Sequence, residues 1–281
     1  MTQQTYVPDD DFELYLENNG MGNGTSNDDY VLTSAIDTLS ELHLGFFISF
    51  IYDLTGIEDF VSLKRLSIVN QYLTTLDVSQ NILLEELSCY GNQLTNLNLS
   101  NNTSLIYLAC YDNQLTNLDV SQNSALNYLW CSNNQITSLD VTQNNFLSNL
   151  VCNNNQITYL DLTSQISFVH LFIEGNNLTS LDISHMQCPG LSEANLSNPN
   201  LFCIQVTDVS CWYQPFTSWM IDTTFQYFSA NCSGTAIQEH TTNKELLKVI
   251  DILGRESDEK RNTPLFYIYD DGTVEKKIVI E

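Results

Sequence analysis

The chain has 281 residues and a formal net charge of −25, set by 34 acidic residues against nine basic ones. A body so charged repels nucleic-acid phosphate and anionic lipid, and like-charge repulsion favours a soluble monomer. It contains no run of 18 apolar residues, so the sequence offers no membrane-spanning helix. The balance is uneven along the chain. Lys244, Lys248, Arg255, Lys260, Arg261, Lys276 and Lys277 lie after residue 243, and only Lys64 and Arg65 precede it.

No basic segment followed by an apolar one precedes Tyr6, so the chain reads either as cytosolic or as what remains once an export signal is removed. Residues 9–20, DDDFELYLENNG, predict a short helix closed at Gly20. MGNGTSNDD is a loop by composition, and YVLTSAIDTLSELHL reads as a second helix or as a first imperfect repeat. Together, residues 1–60 form the N-terminal cap that a stacked-repeat array needs over its open end.

From about Leu63 to Ser184 the sequence repeats every 21 residues. Cys89, Cys110, Cys131 and Cys152 recur at that spacing, with Ile68 and Ile173 in the same register at either end. The phrases LEELSCYGNQLTNLNLSNN, LIYLACYDNQLTNLDVSQN and LNYLWCSNNQITSLDVTQN share the pattern L-x-x-L-x-C-x-x-N-x-L, the leucine-rich repeat pattern. Alternation within L-x-x-L-x-C predicts one short strand per turn, with Leu and Cys inward and the x positions outward. Successive strands then form a parallel sheet on the concave side, and the convex return is mostly irregular. Residues 61–187 are the repeats.

Each column of the repeat has its own reading. The four cysteines pack as small buried hydrophobes rather than as metal ligands. Asn92, Asn113, Asn134, Asn155 and Asn176 bond backbone groups of adjacent turns. Thr74, Thr95, Thr116, Thr137, Thr158 and Thr179 read as turn residues whose hydroxyls satisfy local backbone, with an array that orders water as the other reading. Asp77, Asp119, Asp140, Asp161 and Asp182, with Asn98 in line, form either a calcium ladder or a solvated convex edge.

The fold does not dictate the outward strand positions, so these carry the functional information. Three columns run Arg65, Glu86, Tyr107, Tyr128, Asn149, His170; Ser67, Ser88, Ala109, Trp130, Val151, Phe172; and Val69, Tyr90, Tyr111, Ser132, Asn153, Glu174. Tyr90, Tyr107, Tyr111, Tyr128 and Trp130 therefore converge over three turns, with His170 and Phe172 to one side. Aromatic clusters of this kind are enriched at recognition sites. Cross-strand packing alone also favours them.

Beyond the repeats, Cys188, Cys203, Cys211 and Cys232 form an even-numbered group without a C-x-x-C pair, which predicts the disulfides Cys203–Cys232 and Cys188–Cys211 in an oxidising compartment rather than a zinc site. Residues 188–234 form a C-terminal cap. Its aromatics, Phe202, Trp212, Tyr213, Phe216, Trp219, Phe225, Tyr227 and Phe228, read as a lid over the last coil. Residues 235–242 are a linker. Residues 243–281 hold three apolar runs with an Asp271-Gly272 turn signal, a small all-β unit. Catalytic motifs are absent: His43, His170, His185 and His240 have no repeated companion, and there is no G-x-S-x-G, H-E-x-x-H or phosphate loop. The chain does not read as an enzyme.

The spellings NQLTNLDVSQN and NQITSLDVTQN resemble leucine-rich repeat proteins of marine and gut Bacteroidetes. TYVPDDDFELYL resembles the segment that follows the cleaved export signal in that family, and DLTGIEDF and NPNLFCIQV are similar to its capping segments. The tail resembles a type IX secretion sorting domain, with Leu253, Gly254, Arg255 and Glu256 matching one element and Gly272, Thr273, Lys276 and Lys277 another. The resemblance implies secretion to, or display on, the outer surface of a Gram-negative bacterium, with the secretion apparatus as a partner. It implies no particular ligand. The sequence thus leads to a concave sheet that binds a protein or glycan, with a ligand-free structural or spacer protein of the cell envelope as the other class.

Overall fold

A computed structural model describes residues 3–45, 50–165, 168–186, 191–208, 219–220, 227–232, 246–250, 264–269 and 274–278. It falls into two compact units, residues 1–233 and 234–281.

The first unit begins with β1 (Gln4–Tyr6) and α1 (Asp10–Asn18), followed by β2 (Tyr30–Leu32), which pairs antiparallel with β1. Asp9 caps α1: one carboxylate oxygen accepts from the N–H groups of Asp11 and Phe12 at 3.1 and 3.0 Å. The other accepts from Tyr52 and Asp53, tying the helix to the first coil. Gly56 has φ +102°, and a Cβ there would meet the Tyr6 carbonyl oxygen at 2.8 Å, so the approach of β1 requires glycine. The segment 30–44 resolves between its two sequence readings. It holds β2, the four-residue helix α2 (Thr33–Ile36) and β3 (Glu41–Leu44), and β3 is the first strand of the long sheet.

From β3 the chain winds through β4 (Arg65–Ile68), β5 (Glu86–Ser88), β6 (Tyr107–Ala109), β7 (Tyr128–Trp130), β8 (Asn149–Val151) and β9 (His170–Phe172). Every neighbouring pair is parallel and offset by one 21-residue step from β4 to β9. After β10 (Leu181–Asp182), the sheet continues with β11 (Glu193–Asn195) on β9; β12 (Cys203–Gln205) lies on β10, β13 (Trp219–Met220) on β11, and β14 (Tyr227–Ser229) on β12. The nine-stranded order is β13-β11-β9-β8-β7-β6-β5-β4-β3, with a second sheet β10-β12-β14 at the C-terminal end. Each strand is short because the backbone turns at a positive-φ residue two positions after the Cys.

The core is one continuous column of side chains, including Leu87, Leu108, Leu129 and Leu150 from the strands and Leu94, Leu115, Ile136 and Ile157 from the return path. Cys89, Cys110, Cys131 and Cys152 lie within it, free and buried, as the hydrophobe reading requires. Burial pushes the thiols of Cys89 and Cys131 up to about 12, so all four stay protonated at neutral pH.

A right-angled return path leaves backbone groups that no strand partner can satisfy, and two amide ladders take them up. In the first, Asn113 donates to the carbonyls of Cys89 and Cys110 at 3.0 and 3.1 Å while its Oδ1 accepts from Leu94 N–H at 3.0 Å. Asn92, Asn134, Asn155 and Asn176 repeat the arrangement. The second ladder, Asn81, Asn102, Asn123, Asn144 and Gln165, is absent from the sequence reading. Asn123 donates to Leu99 and Asn102 carbonyls at 3.1 and 2.8 Å, and its neighbours do likewise one turn on each side. Position 70 and its equivalents 91, 112, 133, 154 and 175 all have positive φ, which explains why only Asn, Asp and Gly stand there.

Cys203 and Cys232 are disulfide-bonded, joining the start of β12 to the segment three residues past β14. Cys188 and Cys211 lie outside the described residues. Of the aromatic lid, Phe228 is buried in the core, but Phe202 is exposed and takes no part in it.

The second unit is a three-stranded antiparallel sheet in the order of the chain: β15 (Leu246–Ile250), β16 (Pro264–Tyr269) and β17 (Val274–Ile278). Tyr267 is buried and Val249 packs against it. Among the described residues, no helix is long and apolar enough to cross a membrane.

Candidate binding face

The strand registers place the three outward columns as the spacing predicts: Glu86, Tyr107, Tyr128, Asn149 and His170 are sequential partners, as are Ser88, Ala109, Trp130, Val151 and Phe172. Five aromatics meet on this surface. The rings of Tyr90 and Tyr111 stack at 4.3 Å and 9°. Tyr107 lies 5.5 Å from Trp130, edge to face, and 6.0 Å from Tyr128. Tyr128 is the most open of the described members at 39% exposure. Ala109, an outward position by pattern, is fully buried because only a methyl group fits beneath these rings.

The hydroxyls of Tyr90, Tyr107 and Tyr111 are already engaged. Burial, reinforced by the neighbouring Tyr90 hydroxyl and its hydrogen bond, pushes Tyr111 up to about 12. Burial also raises Tyr107, with Tyr90 and Glu86 adding to the shift and a hydrogen bond with Ser88 opposing it. The patch is therefore preassembled.

His170 and Phe172 stand apart from this cluster, two strands beyond Trp130. His170 Nδ1 contacts Asn149 Oδ1, and its Nε2 lies 3.9 Å from Glu193. Beside them, Glu174 is half-buried with one carboxylate oxygen enclosed and without a hydrogen-bond partner, and burial raises its carboxyl above the ordinary range. Ser132 Oγ and Asn153 Oδ1, in the same column, are enclosed and unpartnered too. The sequence reading did not single out these three, nor Glu86. It also missed a second exposed aromatic group at the N-terminal end, where Tyr72 stacks on Tyr52 at 5.4 Å and meets Phe50 at 4.7 Å.

The two convex columns resolve differently. The threonines are exposed, and among the described residues their hydroxyls have no hydrogen-bond partner, so they do not satisfy backbone. The residue that does so is the acid three positions on. Asp77, Asp119, Asp140, Asp161 and Asp182 each accept the N–H two residues ahead at 2.9 Å, and Asn98 does the same for Ser100 at 3.1 Å. The acidic column is thus a row of turn staples. Among the described residues, the acids whose ligand atoms do lie within 4.8 Å of one another are Asp10, Glu13 and Asp29 in the N-terminal cap, where Glu13 already accepts from the Asp28 and Asp29 N–H groups.

The Thr142 and Thr163 hydroxyls first, then the backbone N–H groups, hold Asp140 and Asp161 below the usual aspartate range; at Asp77 and Asp119 the backbone N–H leads and the Ser79 and Ser121 side chains add to it. A carboxylate lowered on folding stabilises above its unfolded pKa and loses that contribution as pH falls through its folded one. The double substitution Asp119→Asn/Asp140→Asn keeps both staples, as Asn98 shows. It is expected to melt below the parent at pH 7 and to lose less stability than the parent between about pH 4 and pH 2, so that the two melting curves converge in acid. Thermal melts across that range check it.

No protein-family model matches this chain, and no curated protein matches it. Solved structures do. The internalin InlF of Listeria monocytogenes aligns at TM-score 0.57 and 19% identity over 74% of this chain and 60% of its own. A leucine-rich repeat protein of Leptospira interrogans aligns at TM-score 0.54 and 25% identity, over 61% and 46%. The fold is a leucine-rich repeat solenoid. A third similar structure is the ectodomain of the Arabidopsis thaliana receptor kinase GASSHO1/SCHENGEN3, in complex with CASPARIAN STRIP INTEGRITY FACTOR 2, at TM-score 0.51 and 19% identity over 68% and 27%. This chain spans between about a quarter and three fifths of the length of these three structures. Leucine-rich repeat solenoids commonly mediate protein binding through an extended concave surface.

Proposed function

We propose that this chain is an exported binding protein, secreted or displayed on the outer surface of a Gram-negative cell, whose concave sheet takes a protein or glycan ligand. Tyr90, Tyr107, Tyr111, Tyr128 and Trp130 form the contact patch, flanked by His170 and Phe172. The observation that carries this reading is the aromatic cluster, packed ring against ring on the outward face of the sheet. Ordering large aromatics before the ligand arrives lowers the entropic cost of association. Binding here involves no chemical turnover.

The disulfide supports an oxidising destination. The resemblance of the tail to a type IX sorting domain supports the route. Its Lys276 and Lys277 lie on β17, while Leu253, Gly254, Arg255, Glu256, Gly272 and Thr273 fall outside the described residues.

The test is a screen of the full chain against an outer-surface protein library and a glycan array, with Trp130→Ala in parallel. The substitution is expected to weaken the ligand found by more than about 1 kcal/mol while leaving the melting curve nearly unchanged. Equal affinity of variant and parent would remove the site from this patch.

A further inference from the structure

The concave face is electrically one-sided. Residues 1–233 hold only two basic side chains, and both are spoken for: Lys64 pairs with Glu85 at 2.7 Å, and Arg65 pairs with Glu41. Arg65 is the register partner of Glu86, yet its ion pair runs the other way, to β3. Glu86 is therefore an exposed carboxylate without an ion pair among the described residues, directly beside Tyr107 in the sheet. At the other end of the aromatic patch, Glu174 has an oxygen without a hydrogen-bond partner, and the intervening Asn153 Oδ1 and Ser132 Oγ are unpartnered as well. Ser132 is 8% exposed, so its idle hydroxyl is enclosed rather than solvated.

The group fully open to a ligand is the Glu86 carboxylate; Glu174 is half-buried with one oxygen sealed, and Ser132 Oγ and Asn153 Oδ1 are sealed as well, so an incoming donor meets Glu174 through its other oxygen. The hydroxyls of Tyr90, Tyr107 and Tyr111 already have partners in Tyr90–Tyr111 and Tyr107–Ser88. A sugar hydroxyl would bring an acceptor of its own and gain nothing from the negative field. A guanidinium brings donors only, is weakly hydrated, and lies favourably on aromatic rings.

We propose that the ligand of the concave face is an extended, arginine-bearing peptide segment that crosses the strands from Glu86 to Glu174 over Tyr107, Tyr128 and Trp130. This rests on the concave-face reading given above. Glu86 and Glu174 lie on turns four strand steps apart, about 19 Å, and in outward columns four residues apart, so the segment crosses the strands obliquely and needs about seven extended residues. Two arginines about five residues apart span most of that distance, and their long side chains cover the rest. The guanidinium at Glu86 has the open Tyr128 ring within the same patch, and the one at Glu174 has Phe172, two residues before it at the end of β9. Asn149 and Val151 lie between the two ends and leave room for the backbone of the segment.

The experiment uses the full chain and a labelled ten-residue peptide with two arginines five positions apart, read by fluorescence anisotropy at physiological salt. Its twin carries citrulline, which has the same shape without the charge. The arginine peptide is expected to bind at least tenfold more tightly than the twin. Glu86→Gln and Glu174→Gln should each weaken it at least threefold, and Trp130→Ala should weaken it further. Asp119→Asn removes the same charge from the convex side and should leave binding unchanged. Equal binding of the two peptides overturns the proposal, and so does an equal loss in all three single-charge variants, which would mark attraction to the bulk field. Glu86 is exposed, so its variant stays informative even if Glu174→Gln melts early. If a neutral glycan or protein found in the screen depends on Trp130 while the arginine peptide is ignored, the basic-peptide proposal falls and the concave-face reading stands.

Discussion

Asn134→Ala is expected to lower the unfolding free energy by about 3–5 kcal/mol, whereas Asn145→Ala, at an exposed asparagine on the return path of the same turn, should change it by less than about 0.5 kcal/mol. The Asn134 amide donates to the carbonyls of Cys110, Cys131 and Ser132 at 3.0, 3.1 and 3.2 Å, and its oxygen accepts from Leu115 N–H at 2.9 Å. Alanine leaves Leu115 N–H without that acceptor and strips the carbonyls of a shared donor, all inside a dry core. Each buried group left unmatched costs about 1–3 kcal/mol. Urea unfolding of the two variants beside the parent measures the difference, and equal midpoints would show that the ladder is not what holds the turns together.

The second large effect is at the far end. Cys203 and Cys232 are 29 residues apart in sequence, and in the chain-entropy account closing a loop of that size contributes about 3.5 kcal/mol. Cys203→Ser/Cys232→Ser is expected to lose about that much, and to lose it locally. Each turn of a solenoid touches only its neighbours, so loosening β12 and β14 should speed amide exchange there and in β10 while β5 to β8 keep their protection. Uniform loss of protection along the whole sheet would contradict a nearest-neighbour solenoid.

The repeat made most of the first unit legible before any coordinates. A 21-residue period fixes which residues are register partners, so the columns through Tyr107, Tyr128 and Trp130 follow from counting alone. What counting does not supply is how side chains in adjacent columns share space. Ala109 is outward by pattern and buried in fact, because Tyr107 and Trp130 close over it. The second amide ladder was as regular as the first, with Asn81, Asn102, Asn123 and Asn144 at the same spacing, yet asparagine beside Ser and Gln reads as ordinary loop. Its role depends on carbonyls of the preceding turn, which are invisible in one dimension. The threonine and aspartate columns both carry the turn chemistry of short polar side chains, and only the direction of each side chain separates the solvent-facing row from the stapling row. The N-terminal segment 30–44 was ambiguous for a different reason: three- and four-residue elements are too short to show any period.

The cysteine column has a use in the hand of an experimenter. Cys89, Cys110, Cys131 and Cys152 each belong to a different consecutive turn, and each is sealed and protonated in the closed state. An alkylating reagent can reach a given thiol only when its own turn opens. Peptide mapping after timed labelling therefore reads four opening rates in one unmodified molecule, ordered along its axis. Four equal rates mean that the array opens as a unit, and a gradient names the end at which it begins to unzip.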